Sequence, residues 1–174
     1  MATRGIDFAN LSLMDALDLA ILIEDEAQER YEEFAAQMDQ HRTPDAAKFF
    51  RYMVENEAKH GRELTARRVR LFGGTEMLVT RSMIFDIEAP DYDAARAFMS
   101  PRKAMEAALA SEVKAHGFFV SALPSIADAD VRALFEELRD EELGHQQLVQ
   151  AELYKLRPES GLSDEDFVDE PAPQ

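Results

Sequence analysis

Residues 57–60 read Glu-Ala-Lys-His, and residues 142–145 read Glu-Leu-Gly-His. The two stretches share the pattern Glu-x-x-His, and both lie in long segments whose apolar residues recur with helical periodicity. Residues three positions apart lie about 60° apart around a helix axis, so the glutamate and histidine of one motif can bind the same ion. A single motif of this kind is common in a glutamate-rich chain, so further ligands are needed to indicate a metal site.

The chain repeats itself around the two motifs, and the repeat supplies further ligands. When the motifs are aligned, residues 50–64 match residues 135–149, and residues 20–31 match residues 108–119. The matched pairs are Phe50 with Phe135, Met53 with Leu138, Leu64 with Val149, Glu24 with Glu112, Ala27 with Ala115, and Tyr31 with Phe119. Each half of the chain therefore offers one lone glutamate and one Glu-x-x-His motif.

The two lone glutamates, Glu24 and Glu112, each continue an apolar helical stripe. A carboxylate on an apolar face is costly unless it is paired or bound to a metal. We therefore predict a two-metal site, as in carboxylate di-iron bundles, with the ligands Glu24, Glu57, His60, Glu112, Glu142 and His145. Each residue taken alone has an ordinary alternative, because the lone glutamates could reach solvent and the histidines could be hydrogen-bonded core residues.

Start and stop signals divide the chain into four long amphipathic helices. The start signals are Ser12 with Asp15, Thr43-Pro44, Ser100-Pro101, and Asp128 or Asp130. Val69 and Leu148 are among the predicted core residues. Short connections predict two antiparallel hairpins, and the long connection 73–100 predicts one crossover between them. We therefore expect an all-α, ferritin-like four-helix bundle in residues 1–158, followed by an acidic, poorly structured tail in residues 159–174.

The composition narrows the chemistry of the chain, which has 174 residues, no cysteine and a formal net charge of −16. The lack of cysteine excludes thiolate metal sites, iron–sulfur clusters and disulfides, so His, Asp and Glu must supply any metal ligands. An acidic surface repels phosphate, which argues against a nucleic-acid partner. Without a targeting pattern or a long apolar run, we expect no membrane association and a cytoplasmic location.

The assembled residues resemble the rubrerythrin-like branch of the ferritin superfamily, over about residues 11–156. The resemblance implies two iron ions, with Glu57 and Glu142 as bridging carboxylates, Glu24 and Glu112 as terminal carboxylates, and His60 and His145 as one histidine for each ion. Zinc or manganese would fit the same ligands. Tyr31 is implied to donate a hydrogen bond near the site or to serve in electron transfer; its ordinary role would be a core aromatic bonded to a carboxylate.

The resemblance also implies a reaction with hydrogen peroxide or with oxygen. The first expectation is an oxidoreductase that reduces hydrogen peroxide. The second is a ferroxidase that oxidises Fe(II) with oxygen, and the third is a non-enzymatic, metal-stabilised binding module. Full-length rubrerythrins carry a cysteine-ligated rubredoxin domain that supplies electrons, and this cysteine-free chain would need an external electron donor.

Two further expectations concern symmetry. Ala115 stands where rubrerythrins have a second glutamate on the third helix, which predicts a nearly two-fold symmetric site with both histidines fixed, unless His116 takes that place. Aromatic residues outside the proposed core positions predict a homodimer; they are Phe8, Phe72, Phe85 and Phe98.

Overall fold

The computed structural model describes residues 6–84, 87 and 100–156. The helices are α1 (Leu13–Gln40), α2 (Pro44–Phe72), the short α3 (Arg81–Ile84), α4 (Pro101–Ala122) and α5 (Ala129–Lys155), with a 3-10 turn at Leu123–Ser125. No strand occurs in the described part of the chain. The predicted all-α fold and its four long helices are confirmed.

The helix starts follow the predicted local chemistry with one exception. Ser12 Oγ accepts a hydrogen bond from the Asp15 N–H and donates one to the Asp15 carboxylate. The Asp128 carboxylate accepts from two backbone N–H groups at the start of α5. Thr43 does not cap α2 through its side chain, because its hydroxyl donates to the Met38 carbonyl at 2.9 Å. Thr43 therefore closes the turn after α1 rather than capping the next helix.

The four long helices pair as two hairpins. α1 packs against α2, and α4 packs against α5; α1 also contacts α5 and the short α3. A buried ion pair joins the first hairpin, because Arg68 Nε donates to Asp18 Oδ1 at 2.7 Å. The described part of the crossover contributes Ile84 and Ile87 to the core. This arrangement is the ferritin-like bundle, and none of the described helices is long and apolar enough to cross a membrane.

The buried apolar side chains form two clusters, one toward each end of the bundle. One cluster joins the first half of α1 to the end of α4 and the start of α5. The other joins the second half of α1 to the starts of α2 and α4. The duplicated apolar positions are buried as the repeat predicts: Phe50, Met53, Leu64, Phe135, Leu138 and Val149. Between the clusters lies a polar layer, which holds the candidate site.

Two predicted core residues point outward. Val69 is 55% exposed and Leu148 is 38% exposed. Val69 follows Arg68, whose side chain points inward and donates a hydrogen bond to Asp18. Leu148 precedes Val149, which is fully buried. Successive helical positions differ by about 100° around the axis, so Val69 and Leu148 lie about 100° away from the inward positions of their neighbours.

One aromatic residue of the predicted dimer surface belongs to the core instead. Phe8 is only 8% exposed and packs against two core aromatic rings, because the segment before α1 folds back over the end of α4. Phe72 is partly buried against the same cluster. Phe85 and Phe98 lie outside the described residues. The homodimer stays a prediction, without the support that Phe8 was expected to give.

Candidate metal centre

The six predicted ligands meet in the polar layer between the two apolar clusters. α1 and α4 each supply one glutamate, Glu24 and Glu112, and α2 and α5 each supply one Glu-x-x-His motif. The ligands converge because each of them continues the inward stripe of its own helix. Five of the six residues are buried, and His60 is half-buried at the edge of the layer. All four long helices therefore contribute to one centre.

His145 Nδ1 faces carboxylates from three different helices. It lies 3.3 Å from Glu57 Oε1, 3.5 Å from Glu112 Oε2 and 3.9 Å from Glu142 Oε2. These contacts are longer than the usual N–H···O distance of about 2.9 Å. Two donors that are each about 2.0–2.2 Å from a shared ion can lie up to roughly 4.4 Å apart. The spacing therefore suits an ion between the side chains better than direct hydrogen bonds.

His60 occupies the other side of the centre. Its Nδ1 lies 3.8 Å from Glu24 Oε2. The His60 and His145 rings are nearly parallel, with an interplanar angle of 8° and centroids 5.4 Å apart. Glu57 lies beside both, because Glu57, His60 and His145 offer ligand atoms within 4.8 Å of one another. Glu57 is therefore placed where a carboxylate could reach both positions.

The pKa values of three candidate ligands are shifted by burial and by the charges of the other ligands. Burial raises the pKa of Glu24 from 4.5 to about 7, although Glu57 and the charge of His145 oppose the rise. Burial alone would lower the pKa of His145, but the neighbouring Glu112 and Glu24 carboxylates raise it overall. Burial and the nearby His145 lower the pKa of His60. The four buried carboxylates of the centre outnumber the positive charges that its two histidines can supply. Metal ions could supply the missing positive charge.

Three buried polar atoms of the centre have no hydrogen-bond partner: His60 Nδ1, His145 Nδ1 and Glu112 Oε2. Such atoms are rare in folded proteins, because each unsatisfied buried group costs about 1–3 kcal/mol. Imidazole nitrogens and carboxylate oxygens are ligands for iron, manganese and zinc. The residues present therefore fit a pair of metal ions, which Nδ1 of each histidine would be free to bind.

Tyr31 lies beside the centre, as the resemblance implies. Its hydroxyl donates a hydrogen bond to Glu112 Oε1. Its ring is buried and stacks on Phe50, with ring centroids 6.0 Å apart. The hydrogen bond leaves Glu112 Oε2 to face His145, so Tyr31 orients a candidate ligand. Electron transfer through Tyr31 stays a prediction.

One carboxylate near the centre is missing from the sequence-based ligand set. Glu141 on α5 forms a group with Glu24 and His60, whose ligand atoms all lie within 4.8 Å of one another. Burial and the negative charge of Glu137 raise the pKa of Glu141. The only sequence signal is its place in the acidic run at residues 140–142. Helical periodicity alone could not distinguish Glu141 from a surface acid.

A cavity of about 300 Å³ opens beside His60 and Glu141, between α2 and α5. Glu63, Arg67 and Glu137 also line it. The Arg67 guanidinium bonds the Glu137 carboxylate across the two helices at 3.0 Å. The His60 side of the centre therefore adjoins a polar, solvent-accessible space, whereas the His145 side is buried.

The two remaining histidines are His41 and His116. No metal-ligand group among the described residues includes His41 or His116. Ala115 is fully buried on α4, so its position faces inward but offers no donor atom. His116, the next residue, is half-buried and is not grouped with the candidate ligands in the described part of the chain.

The fold and the centre define a class of protein: a four-helix bundle with a carboxylate- and histidine-rich, di-iron-type metal site. Within that class the chain belongs to the rubrerythrin family, whose model matches residues 15–153. It is also similar to the crystal structure of an uncharacterised conserved protein from Magnetospirillum magnetotacticum MS-1. The two share 29% sequence identity at a TM-score of 0.72, over 85% of this chain and 98% of that one. No curated protein sequence matches the chain.

Proposed function

We propose that the chain is a di-iron oxidoreductase that reduces hydrogen peroxide. The observation that carries this proposal is the buried centre in which His60 Nδ1, His145 Nδ1 and Glu112 Oε2 lack hydrogen-bond partners. Membership of the rubrerythrin family supports iron as the metal. The cavity beside His60 offers a route from solvent toward the centre, and the burial of the centre behind it supports a small reactant.

The position of each candidate ligand in the centre indicates which ion it would bind. Glu24 and His60 would hold one ion, Glu112 and His145 the other, and Glu57 and Glu142 would bridge them. When bound, two ferrous ions supply the two electrons that, with two protons, reduce one peroxide molecule to two water molecules. Tyr31 fixes the Glu112 carboxylate through its hydroxyl. An external electron donor must restore the ferrous state, since the chain has no cysteine for a rubredoxin-type iron site.

A second candidate function, oxidation of Fe(II) with oxygen, is favoured by the charge of the cavity. Three carboxylates line it, which outnumber its two guanidinium groups: Glu63, Glu137 and Glu141 against Arg67 and Arg70. The chain as a whole carries a formal net charge of −16. Carboxylates at the mouth of a site raise the local concentration of cations. A ferroxidase must admit Fe(II) repeatedly, whereas a peroxidase keeps its two ions and admits only the oxidant.

Metal binding is tested first, on protein loaded anaerobically with Fe(II). We expect about two ions per chain for the natural sequence, and a loss of both in the Glu57→Ala/Glu142→Ala double variant. The matched control is Glu55→Ala/Glu136→Ala, which removes one exposed acid from each of the same helices. Undiminished binding in the double variant would refute the site.

Stopped-flow oxidation of the ferrous protein then separates the functions. Faster oxidation by hydrogen peroxide than by oxygen, with two ions retained, supports the peroxidase. Faster oxidation by oxygen, with uptake of many irons per chain, supports the ferroxidase. If neither oxidant reacts, both enzymatic proposals fail and a metal-stabilised binding module is left.

A further inference from the structure

Glu141 lies beside His60, on the side of the centre that faces the cavity. The repeat pairs it with Asn56, because residues 56–57 align with residues 141–142. The two halves of the centre are therefore not equivalent at this position. Glu141, from α5, lies close to His60 on α2. The residue of α2 that corresponds to Glu141 in the repeat is Asn56, which has an amide in place of the carboxylate.

The surroundings of Glu141 suit a ligand rather than an ion-pair partner. Its carboxylate belongs to the group with Glu24 and His60, in which all three ligand atoms lie within 4.8 Å of one another. No ion pair among the described residues involves Glu141, whereas Glu137, one turn earlier, is bonded to Arg67 at 3.0 Å. This half-buried carboxylate lies beside two candidate ligands, and no cation of the described residues is within ion-pair distance of it, so a metal ion would stabilise it there.

The other members of the group point to the same ion. His60 Nδ1 is buried without a hydrogen-bond partner, 3.8 Å from Glu24 Oε2. Glu24 is itself buried. Glu141 approaches this pair from the cavity, whose wall it shares with His60. The three side chains thus surround one position from α1, α2 and α5.

We propose that Glu141 is a seventh metal ligand, which binds the ion held by Glu24 and His60 from the side of the cavity. This inference rests on the proposed two-metal centre. It makes the two ion positions unequal, since the His60 position gains a carboxylate that the His145 position lacks. It also places a metal-binding carboxylate at the boundary between the cavity and the buried centre, where an ion arriving from solvent meets it first.

The test is anaerobic calorimetric titration of the metal-free full chain with Co²⁺. The variant Glu141→Gln removes the proposed ligand. The control Glu63→Gln removes one negative charge from the same cavity at a residue outside the ligand group. Glu141→Asp keeps the charge but shortens the side chain by one methylene group. Circular dichroism checks that each variant keeps the helical content of the natural protein.

We expect the natural protein to bind two Co²⁺ ions. In Glu141→Gln, the affinity for one of the ions should fall by at least about tenfold, since loss of a residue that only supports a ligand already lowers metal affinity by about 10–100-fold. Glu141→Asp should lose affinity at the same ion, because coordination depends on reach, and Glu63→Gln should leave both affinities within about threefold. If Glu141→Gln and Glu63→Gln behave alike, Glu141 acts only through its charge and the inference is overturned. If Glu141→Asp binds like the natural protein, the inference is overturned as well.

A crystal structure of the zinc-loaded protein gives a readout that does not depend on affinity. We expect a Glu141 carboxylate oxygen about 2.0–2.2 Å from the ion that Glu24 and His60 bind. Two bound ions with Glu141 touching neither would overturn this inference and leave the proposed function intact. Failure of the natural protein to bind two ions at all would overturn both.

Discussion

Replacing Glu24 with glutamine removes the carboxyl group that burial perturbs in the metal-free centre. Its pKa is raised from 4.5 to about 7. Each tenfold change in the ionisation equilibrium is worth about 1.4 kcal/mol, so the ionised carboxylate costs the metal-free fold roughly 3 kcal/mol. The cost is absent below pH 4.5, where the group is protonated in both states. It grows as the pH rises toward 7, because the unfolded chain then releases its proton first.

We therefore expect Glu24→Gln to stabilise the metal-free protein at pH 8 by roughly 3 kcal/mol, and by less than about 1 kcal/mol at pH 5. For a chain of this length, 1 kcal/mol corresponds to about 2–4 °C in Tm, so Tm at pH 8 should rise by roughly 6–12 °C. The assay is thermal unfolding in a chelator at both pH values. Glu33→Gln, on the exposed face of α1, is the control and should change Tm little at either pH.

The same variant should gain less stability from added metal than the natural protein does. An ion supplied at 100 times its Kd stabilises the folded state by about 2.7 kcal/mol. The natural protein should gain this amount for each of two ions, whereas Glu24→Gln should lose the gain from at least one. A variant that is no more stable than the natural protein at pH 8 without metal would show that Glu24 is not an unfavourably buried acid. A variant with the full metal-dependent gain would show that Glu24 is not a ligand.

Further outcomes follow from other parts of the structure. Tyr31→Phe removes the hydrogen bond to Glu112 and should weaken metal binding by about 10–100-fold; titration that gives an unchanged affinity would contradict an orienting role. Phe135→Ala empties a fully buried position and should lower the free energy of unfolding by about 3–5 kcal/mol, as measured by chemical denaturation. His60 and His145 should stay bound to iron in both oxidation states. A displacement of either ion by more than about 1 Å between crystal structures of the two states would refute a fixed site, since the tolerance on ligand distances is roughly 0.2 Å. Light scattering at micromolar concentration should show a dimer, and a monomer there would refute the predicted assembly.

The helices and most of the centre could be predicted from the sequence because both depend on spacing along one chain. Apolar periodicity defines the buried stripe of a helix, and a three-residue spacing places Glu57 beside His60 whatever the helix packs against. The internal repeat then supplied the second motif and the lone glutamates, without any knowledge of how the hairpins pack. Ser12 and Asp128 marked helix starts for the same reason, since a cap is a contact between near neighbours.

Other features depended on contacts between segments far apart in the chain, which local spacing does not encode. Phe8 is buried because the segment before α1 folds over the end of α4, and Val69 is exposed because Arg68 turns inward to Asp18 on another helix.

Glu141 is the clearest case at the centre. Its neighbours in sequence give it the pattern of a surface acid, and only the packing of α5 against the first hairpin brings it to Glu24 and His60. The sequence thus determined which residues could bind metal on each helix. The tertiary structure decided which further carboxylate reaches them, because the distance between side chains on different helices is set by how the helices pack.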